Sequence, residues 1–444
     1  MRVNSGNRPA KSGLNRTLRA FAGIQAFAIL NITWIIFEII GKAVLARFGS
    51  YSLNTVDPAL FLCMFYVLFN VSNVKYMPYG WMNLVYVYMF ITLMNIVLGL
   101  SNASYRADTF VASRFFLPSI LIPMIAVINA KDASFFRACR AISIYVGLAL
   151  SALVFVRLAF GGTLFMSLDE LSFEATGEAR GLTAEGALLI LQAYWLNAYR
   201  VNGHRFFRNG KMFIAAQALL LLAILGSRQG TVILAMIAGN LFYLMFFRRK
   251  FAGFALALLP LLIFAAYTGV QNLSALGNFG EYFNNRSSDL NTRQSIWLAF
   301  SSDYTKYSLF HELFGMPFGS YPPLYIYFSG KVIIWKNVLH SQYFGGLRIF
   351  GAIGFVSFFI VHIAMFFRLI NKYYTDNNLN DMFICCLIIT MMLYYYSYEA
   401  NMSSVIVWYY CLYHVLLGAA NTRKRQVVTR IARGGPRRHA PVAG

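Results

Sequence analysis

The chain has 444 residues, of which 59% are hydrophobic and 17% aromatic but only 12% charged, roughly half the charged share of an ordinary soluble domain. Its mean hydropathy is +0.57, so its apolar surface exceeds what one water-soluble core can hide, and lipid is the expected solvent. The formal net charge of +22 does not point to nucleic acid, because the cations gather in the tails and in alternate short connections, the distribution that fixes membrane topology.

From the beginning of the chain, Met1–Ala20 is basic and polar. Arg2, Arg8, Lys11, Arg16 and Arg19 place this tail in the cytoplasm. The apolar run that follows is longer than a signal-peptide core, so no cleavable leader is expected. Runs long enough to cross a bilayer are read at 21–41, 57–74, 81–100, 114–130, 141–160, 183–199, 212–227, 229–247, 251–271, 344–367, 382–398 and 403–420. Irregular backbone cannot face lipid, so each is read as a helix. With twelve spans the even crossings return inside, and the predicted inner connections carry Lys75; Lys131, Arg137 and Arg140; Arg200, Arg205, Arg208 and Lys211; Arg248, Arg249 and Lys250; Arg368 and Lys372; and the tail from Arg423.

The expected architecture is therefore an all-α polytopic protein of the bacterial inner membrane with about 12 transmembrane helices. A cytoplasmic tail over 1–20 precedes spans one to nine over 21–271. A periplasmic loop over 272–343 separates these from spans ten to twelve over 344–420, and a second cytoplasmic tail covers 421–444. A shorter outer connection, 161–182, holds Asp169, Glu170, Glu174 and Glu178. The long loop is too rich in Tyr, Trp and Phe for disorder, and short helices packed over the outer mouth of the bundle are expected. No internal repeat of transporter type is apparent. The five cysteines form no CxxC pair, so neither a disulfide framework nor a zinc site is expected.

The chain has no Walker loop, HExxH, GxSxG or DxD motif. ATP-driven transport and cytoplasmic nucleotide-sugar chemistry lose support accordingly, and no cofactor and no metal are expected. Of six histidines, His204 and His439 fall on the cytoplasmic side, His362 and His414 fall within apolar runs, and His311 and His340 face outward. A histidine at a membrane boundary is more often a satisfied interfacial side chain than a catalyst. Arg228, in Gly226-Ser-Arg-Gln-Gly230, lies on the outer side, where topology alone would not put a cation. It either snorkels to headgroups or clamps an anion, since guanidinium matches phosphate oxygens with paired donors. Arg293 faces outward in Thr292-Arg-Gln-Ser-Ile-Trp297, either as a solvated loop charge or as a second anion ligand. Arg348 lies about two turns, ~12 Å, into the tenth span, costly in lipid and a functional suspect for that reason.

In order, these segments resemble the O-antigen polymerase and O-antigen ligase superfamily of bacterial envelope glycosyltransferases. Gly226-Ser-Arg228-Gln-Gly230 followed by Thr-Val-Ile-Leu-Ala is similar to that family's SR-x-G helix start. Arg293-x-x-x-Trp297 with Leu313-Phe-Gly315-Met-Pro-Phe-Gly319 is similar to its loop motif, and His340-Ser-x-Tyr343 with Gly351-x-x-Gly354 to its histidine signature. Ligases of the family usually carry His-Asn, whereas Ser341 follows the histidine here, and Ile349 stands where an acidic residue often precedes the first glycine. Both departures lean toward a polymerase.

The resemblance implies transfer of glycan from undecaprenyl diphosphate to a sugar hydroxyl at the periplasmic face. Arg228, Arg293 and Arg348 would stabilise the departing diphosphate. His340 would orient or deprotonate the acceptor, with Glu178, Glu281 and Glu399 as weaker candidates for a base. Backside attack would invert the anomeric carbon. Trp297 and Tyr343 are candidate sugar-binding residues, although the loop aromatics also suit a simple packing role. Donor and acceptor are lipid-linked glycans in a membrane, with no nucleic acid, and a chain-length regulator and a flippase are candidate partners. The alternatives are a ligase that delivers finished glycan to lipid A core or protein, and a lipid-linked oligosaccharide flippase that makes no bond.

Overall fold

The computed structural model describes residues 10–40, 44–48, 51–54, 57–70, 80–110, 133–160, 181–247 and 293–397, with scattered positions between 113 and 129. Positions 201–204, 228, 322, 329–330, 336–338, 340 and 377 inside those ranges fall outside the description. The expected spans at 251–271 and 403–420 also lie outside it.

The described chain is mostly helical. The helices are α1 (Ala10–Ile40), α2 (Asp57–Asn70), α3 (Leu84–Ser101), α4 (Ala133–Ala159), α5 (Ala184–Ala198), α6 (Gly210–Gly226) and α7 (Gly230–Phe247). They continue with α8 (293–304), α9 (Leu309–Phe314), α10 (Gln342–Asp376) and α11 (Leu379–Ser397). Leu84–Ser101, Phe135–Ala159 and Tyr343–Thr375 are each long and apolar enough to cross a membrane. α2 and α3 turn large apolar side chains outward, among them Phe65, Leu68, Phe69, Phe90 and Val97. A soluble protein rarely exposes such patches, whereas a lipid-facing surface consists of them.

α5 is the centre. Twelve of its fifteen residues are buried, so it is apolar on every side and has no stripe. Small residues let its neighbours approach: a Cβ on Gly147 of α4 would overlap the Ala193 side chain of α5, and one on Gly239 of α7 would stand 2.9 Å from Trp195. α11 packs between α7 and α10, and α10 packs on α3.

The side-chain pairings fix relative helix directions. α4 and α5 are antiparallel, because Arg140 donates to the carbonyls of Leu196 (3.0 Å) and Tyr199 at one end and Arg157 to that of Gly181 (3.0 Å) at the other. α5 and α7 are parallel, joined by Gln229 Nε2 to the Leu182 carbonyl (2.7 Å) and by Tyr194 Oη to Asn240 (3.0 Å). α7 and α11 are antiparallel, since Tyr243 stacks on Phe383 at 5.6 Å while Gly239 meets Thr390. α10 and α11 are antiparallel too, with Tyr343 Oη donating to the Met392 carbonyl (2.9 Å) and Lys372 paired with Asp381 (3.1 Å). The N-termini of α5, α7 and α10 therefore share one end of the bundle. The opposite end is laced by Arg140, by Lys372–Asp381 and by Asn380, which bonds both backbone groups of Arg200 at 2.8 and 2.6 Å.

Two hairpins depart from the all-α expectation. Val44–Phe48 (β1) pairs antiparallel with Tyr51–Asn54 (β2), and Leu324–Phe328 (β3) with Lys331–Trp335 (β4). The second pair, Leu-Tyr-Ile-Tyr-Phe and Lys-Val-Ile-Ile-Trp, is β-branched and aromatic throughout, with Ser329-Gly330 between. Such residues favour a pleated, half-buried surface over a helix. The long loop thus contains the expected short helices α8 and α9 and an unexpected β-hairpin.

Candidate functional site at one end of the bundle

Arg293, Trp297, Phe300 and Tyr304 recur at helical spacing and so share one face of α8. That face is buried: Arg293 is 9% exposed, Trp297 6% and Phe300 1%. It lies on the start of α10, where Trp297 stacks on Phe344 at 5.3 Å and packs in one cluster with Leu324, Leu339 and Leu347. Trp297 Nε1 donates to the Leu339 carbonyl at 2.8 Å. The loop tryptophan is thereby tied to the residue immediately before His340.

α10 is interrupted at Gly351, whose φ of 60° and ψ of −176° leave the helical region. The break frees carbonyls that the i+4 amides would otherwise take. They are claimed from outside: the Arg348 carbonyl accepts from the Met316 amide (2.9 Å) and the Ile349 carbonyl from Asn95 Nδ2 (2.7 Å). The same Asn95 amide donates to the Phe314 carbonyl (2.8 Å), and the Asn95 carbonyl accepts from the Phe318 amide (3.1 Å). Gly315 and Gly319 take φ of 83° and 78°, a left-handed turn that glycine adopts without strain. A Cβ on Gly315 would overlap the Ile349 carbonyl and stand 2.7 Å from the Gly351 nitrogen. Asn95, Gly315 and Gly351 thus seat the turn into the broken helix, while at its other end Gly319 packs against the Tyr105–Thr109 backbone.

Arg348 lies just before that break and is 2% exposed. Its surroundings are protein, not lipid. Its guanidinium carbon sits 4.6 Å from the Tyr321 ring centroid, a cation–π geometry, and its charge reaches Tyr307. Burial pushes the Tyr307 phenol above its ordinary value, against the pull of the Arg348 cation. Burial raises Tyr304 as well, and its hydroxyl donates to the Glu312 carbonyl at 2.8 Å.

Ser341 begins α10. Its carbonyl accepts from the Gly345 amide (2.7 Å), while its hydroxyl accepts from the Tyr343 amide (3.3 Å) and donates to the Tyr395 carbonyl (3.4 Å). Ser341 is therefore a helix cap. Tyr343 is half-buried, with its ring stacked on Phe359 at 5.0 Å and its hydroxyl held by Met392. Those contacts give Tyr343 an anchoring role in packing.

The Gly226–Gly230 turn occupies the same end. The Ser227 hydroxyl donates to the Ile224 carbonyl (2.7 Å) and accepts from the Gln229 amide (3.4 Å). Both Ser227 and Gln229 are fully buried.

Of the residues singled out in sequence, Arg293, Trp297, Tyr343 and Arg348 are described and gather around the start of α10. Arg228 and His340 lie outside the described residues, although the neighbours of each are placed at this end. Glu178, Glu281 and Glu399 also lie outside. His311 is partly exposed on α9, its Nδ1 3.0 Å from the Ser308 hydroxyl that caps the helix. Among the described residues no group of three His, Cys, Asp or Glu side chains gathers as a metal site.

Sequence reading missed Asn95, Glu38 and Arg157. Glu38 and Arg157 carried a usable signal, each being an isolated charge inside an apolar run. Comparison with protein-family models and with curated proteins finds no match to this chain.

Proposed function

We propose that this chain is an inverting, metal-independent glycosyltransferase that polymerises undecaprenyl-diphosphate-linked repeat units into a surface polysaccharide. The product would be an O-antigen, a capsule or an exopolysaccharide. The reaction would take place at the periplasmic face of the bacterial inner membrane. The observation that carries this reading is a convergence of motifs. Trp297 is bonded to the carbonyl that precedes His340, and the Gly315 turn is seated on the Gly351 break beside buried Arg348. Motifs about 130 residues apart in their outer limits are drawn toward one end of one bundle.

In the proposed step an acceptor sugar hydroxyl attacks the anomeric carbon of the donor from the side opposite the diphosphate. The bond from that carbon to the diphosphate oxygen breaks as the glycosidic bond forms, and the hydroxyl proton passes to the His340 imidazole. Charge grows on the departing diphosphate. Fixed guanidinium groups at Arg228, Arg293 and Arg348, in a water-poor site, stabilise it. The lipid tail would lie between helices, which accounts for a site at the membrane boundary.

The test is reconstitution of the purified chain in vesicles with purified lipid-linked repeat units, scored for a ladder of polymer. A ladder supports polymerisation. Transfer only to a lipid A core or protein acceptor would make the chain a ligase, and movement of unaltered glycan across the bilayer would make it a flippase.

A further inference from the structure

Glu38 and Arg157 are side chains with 0% exposure, at the ends of α1 and α4. Arg157 Nη1 lies 3.6 Å from Glu38 Oε2 and donates to the Gly181 carbonyl at 3.0 Å. Arg157 Nη2 donates to the Glu38 carbonyl. Glu38 in turn accepts from the Thr183 amide (3.3 Å) and from the Thr183 hydroxyl. That hydroxyl also caps α5 by accepting from the Gly186 amide at 3.2 Å. Gly186 leaves room for the carboxylate, since a Cβ there would overlap Glu38 Oε1.

The three residues held by this pair, Gly181, Leu182 and Thr183, have the Ser227–Gln229 turn against them. Gln229 Nε2 donates to the Leu182 carbonyl at 2.7 Å. A Cβ on Gly181 would stand 2.8 Å from the Gly226 carbonyl oxygen and 3.2 Å from Ser227 Cα. Ser227 and Gln229, the sequence neighbours of position 228, are thus buried anchors supported by the segment that the ion pair grips.

Burying two opposite charges incurs a desolvation cost that apolar side chains of similar size avoid. What the pair supplies that apolar packing does not is direction: a planar guanidinium and a carboxylate address several backbone groups at fixed angles. We propose that Glu38 and Arg157 are positioning residues that fix the 181–183 segment and, through it, the Ser227–Gln229 turn. They thereby set where the Arg228 guanidinium meets a lipid diphosphate. This deepens, and rests on, the assignment of Arg228 in the proposed function.

The experiment uses the full chain in membranes carrying Arg228→Cys, with the rate of modification by a water-soluble maleimide measured above the background of the parent protein. Leu309→Cys, on an exposed residue of α9, serves as the control. Glu38→Gln keeps the shape and an acceptor oxygen but removes the charge. It is expected to change the rate at position 228 by about threefold or more and to leave position 309 unaltered. Gly181→Ala presses on Gly226 and Ser227 while leaving both charges of the ion pair in place and is expected to shift the same rate. An unchanged rate at 228 in Glu38→Gln overturns the proposal whatever Gly181→Ala does, and so does an equal change at 228 and 309. With Arg228 intact, Glu38→Gln should lower kcat for the lipid-diphosphate donor, because a misplaced guanidinium stabilises less of the charge that grows on the departing diphosphate, and a rise in KM with kcat unchanged counts against positioning. Should the parent chain build no polymer at all, the proposed function fails, while the labelling rates still decide the clamp.

Discussion

The backbones of Gly315 and Gly351 lie in direct contact: a Cβ on Gly351 would overlap the Gly315 nitrogen and the Leu313 carbonyl, and one on Gly315 would come within 2.7 Å of the Gly351 nitrogen. A loop turn and a broken helix are thereby locked together at the residues just after Arg348. The two glycines are needed for approach and for conformation alike, because both have positive φ.

Gly351→Ala and Gly315→Ala are therefore expected to lower stability by about 1–3 kcal/mol from backbone conformation alone, with overlap adding to it. Gly210→Ala, where a Cβ meets nothing within 4 Å, should be neutral or slightly stabilising. Thermal unfolding of the detergent-solubilised protein checks both. Equal midpoints for Gly351→Ala and Gly210→Ala would show that the contact does not matter.

Trp297 acts through the bond from its indole nitrogen to the Leu339 carbonyl as well as through its stack on Phe344. Trp297→Phe should retain most of the stacking and lose about 1 kcal/mol with the hydrogen bond, while Trp297→Ala should lose about 3–5 kcal/mol. On the proposed function, polymer output falls in Trp297→Phe before stability does, because the lost bond restrains the residue next to His340. Ladder length and unfolding midpoint, measured on the same preparation, separate the two effects.

His340→Ala and Arg228→Ala should each abolish polymer while the protein stays in the membrane at its normal level, with rate losses of about 10²-fold or more. Arg348→Lys should fail to restore activity, since an ammonium ion lacks the flat face that lies over Tyr321. Normal chain length in the His340 and Arg228 variants would remove both from the site.

The phenols of Tyr304 and Tyr307 are held above the usual tyrosine value by burial. The unfolded chain releases those protons first, so the stability they contribute is complete below the ordinary phenol value, about 10. It is lost as pH rises beyond that point toward the folded value. The phenolate absorbance that disappears in Tyr307→Phe should emerge only at a pH above that of free tyrosine. Its emergence at or below the free value would mean that the ring is not buried as described.

The helical segments were legible because lipid imposes a one-dimensional rule: a run must be long enough, apolar enough, and flanked by charge on alternating sides. α3, α5, α6, α7 and α11 begin and end within a few residues of their expected spans. Three elements outrun their spans: α1 begins at Ala10 and α4 at Ala133, each ahead of the expected start, and α10 ends at Asp376, beyond the expected end. α10 continues as one element from Gln342 to Asp376 with a break at Gly351, since the polar residues at its C-terminal end can remain helical outside lipid. The hairpin Leu324–Trp335 was not legible, because span length and hydropathy say nothing about a loop, and an aromatic content that argues against disorder does not separate strand from helix.

By itself, the sequence determined a mostly helical membrane chain and marked Arg293 and Arg348 as cations out of keeping with plain topology, while Trp297 and the Gly315–Gly319 and Gly351–Gly354 pairs stood out only through the family resemblance. Charge is expensive in an apolar helix, so it leaves a mark in one dimension. Only the tertiary structure decided which of them meet. Asn95, about 250 residues from Ile349 in the chain, bonds the Ile349 carbonyl exposed by the broken helix, and Glu38 grips Arg157 and the residues at the head of α5. Such pairings follow from which helix ends share one side of the bundle and how closely small residues let them pack. No local pattern encodes either.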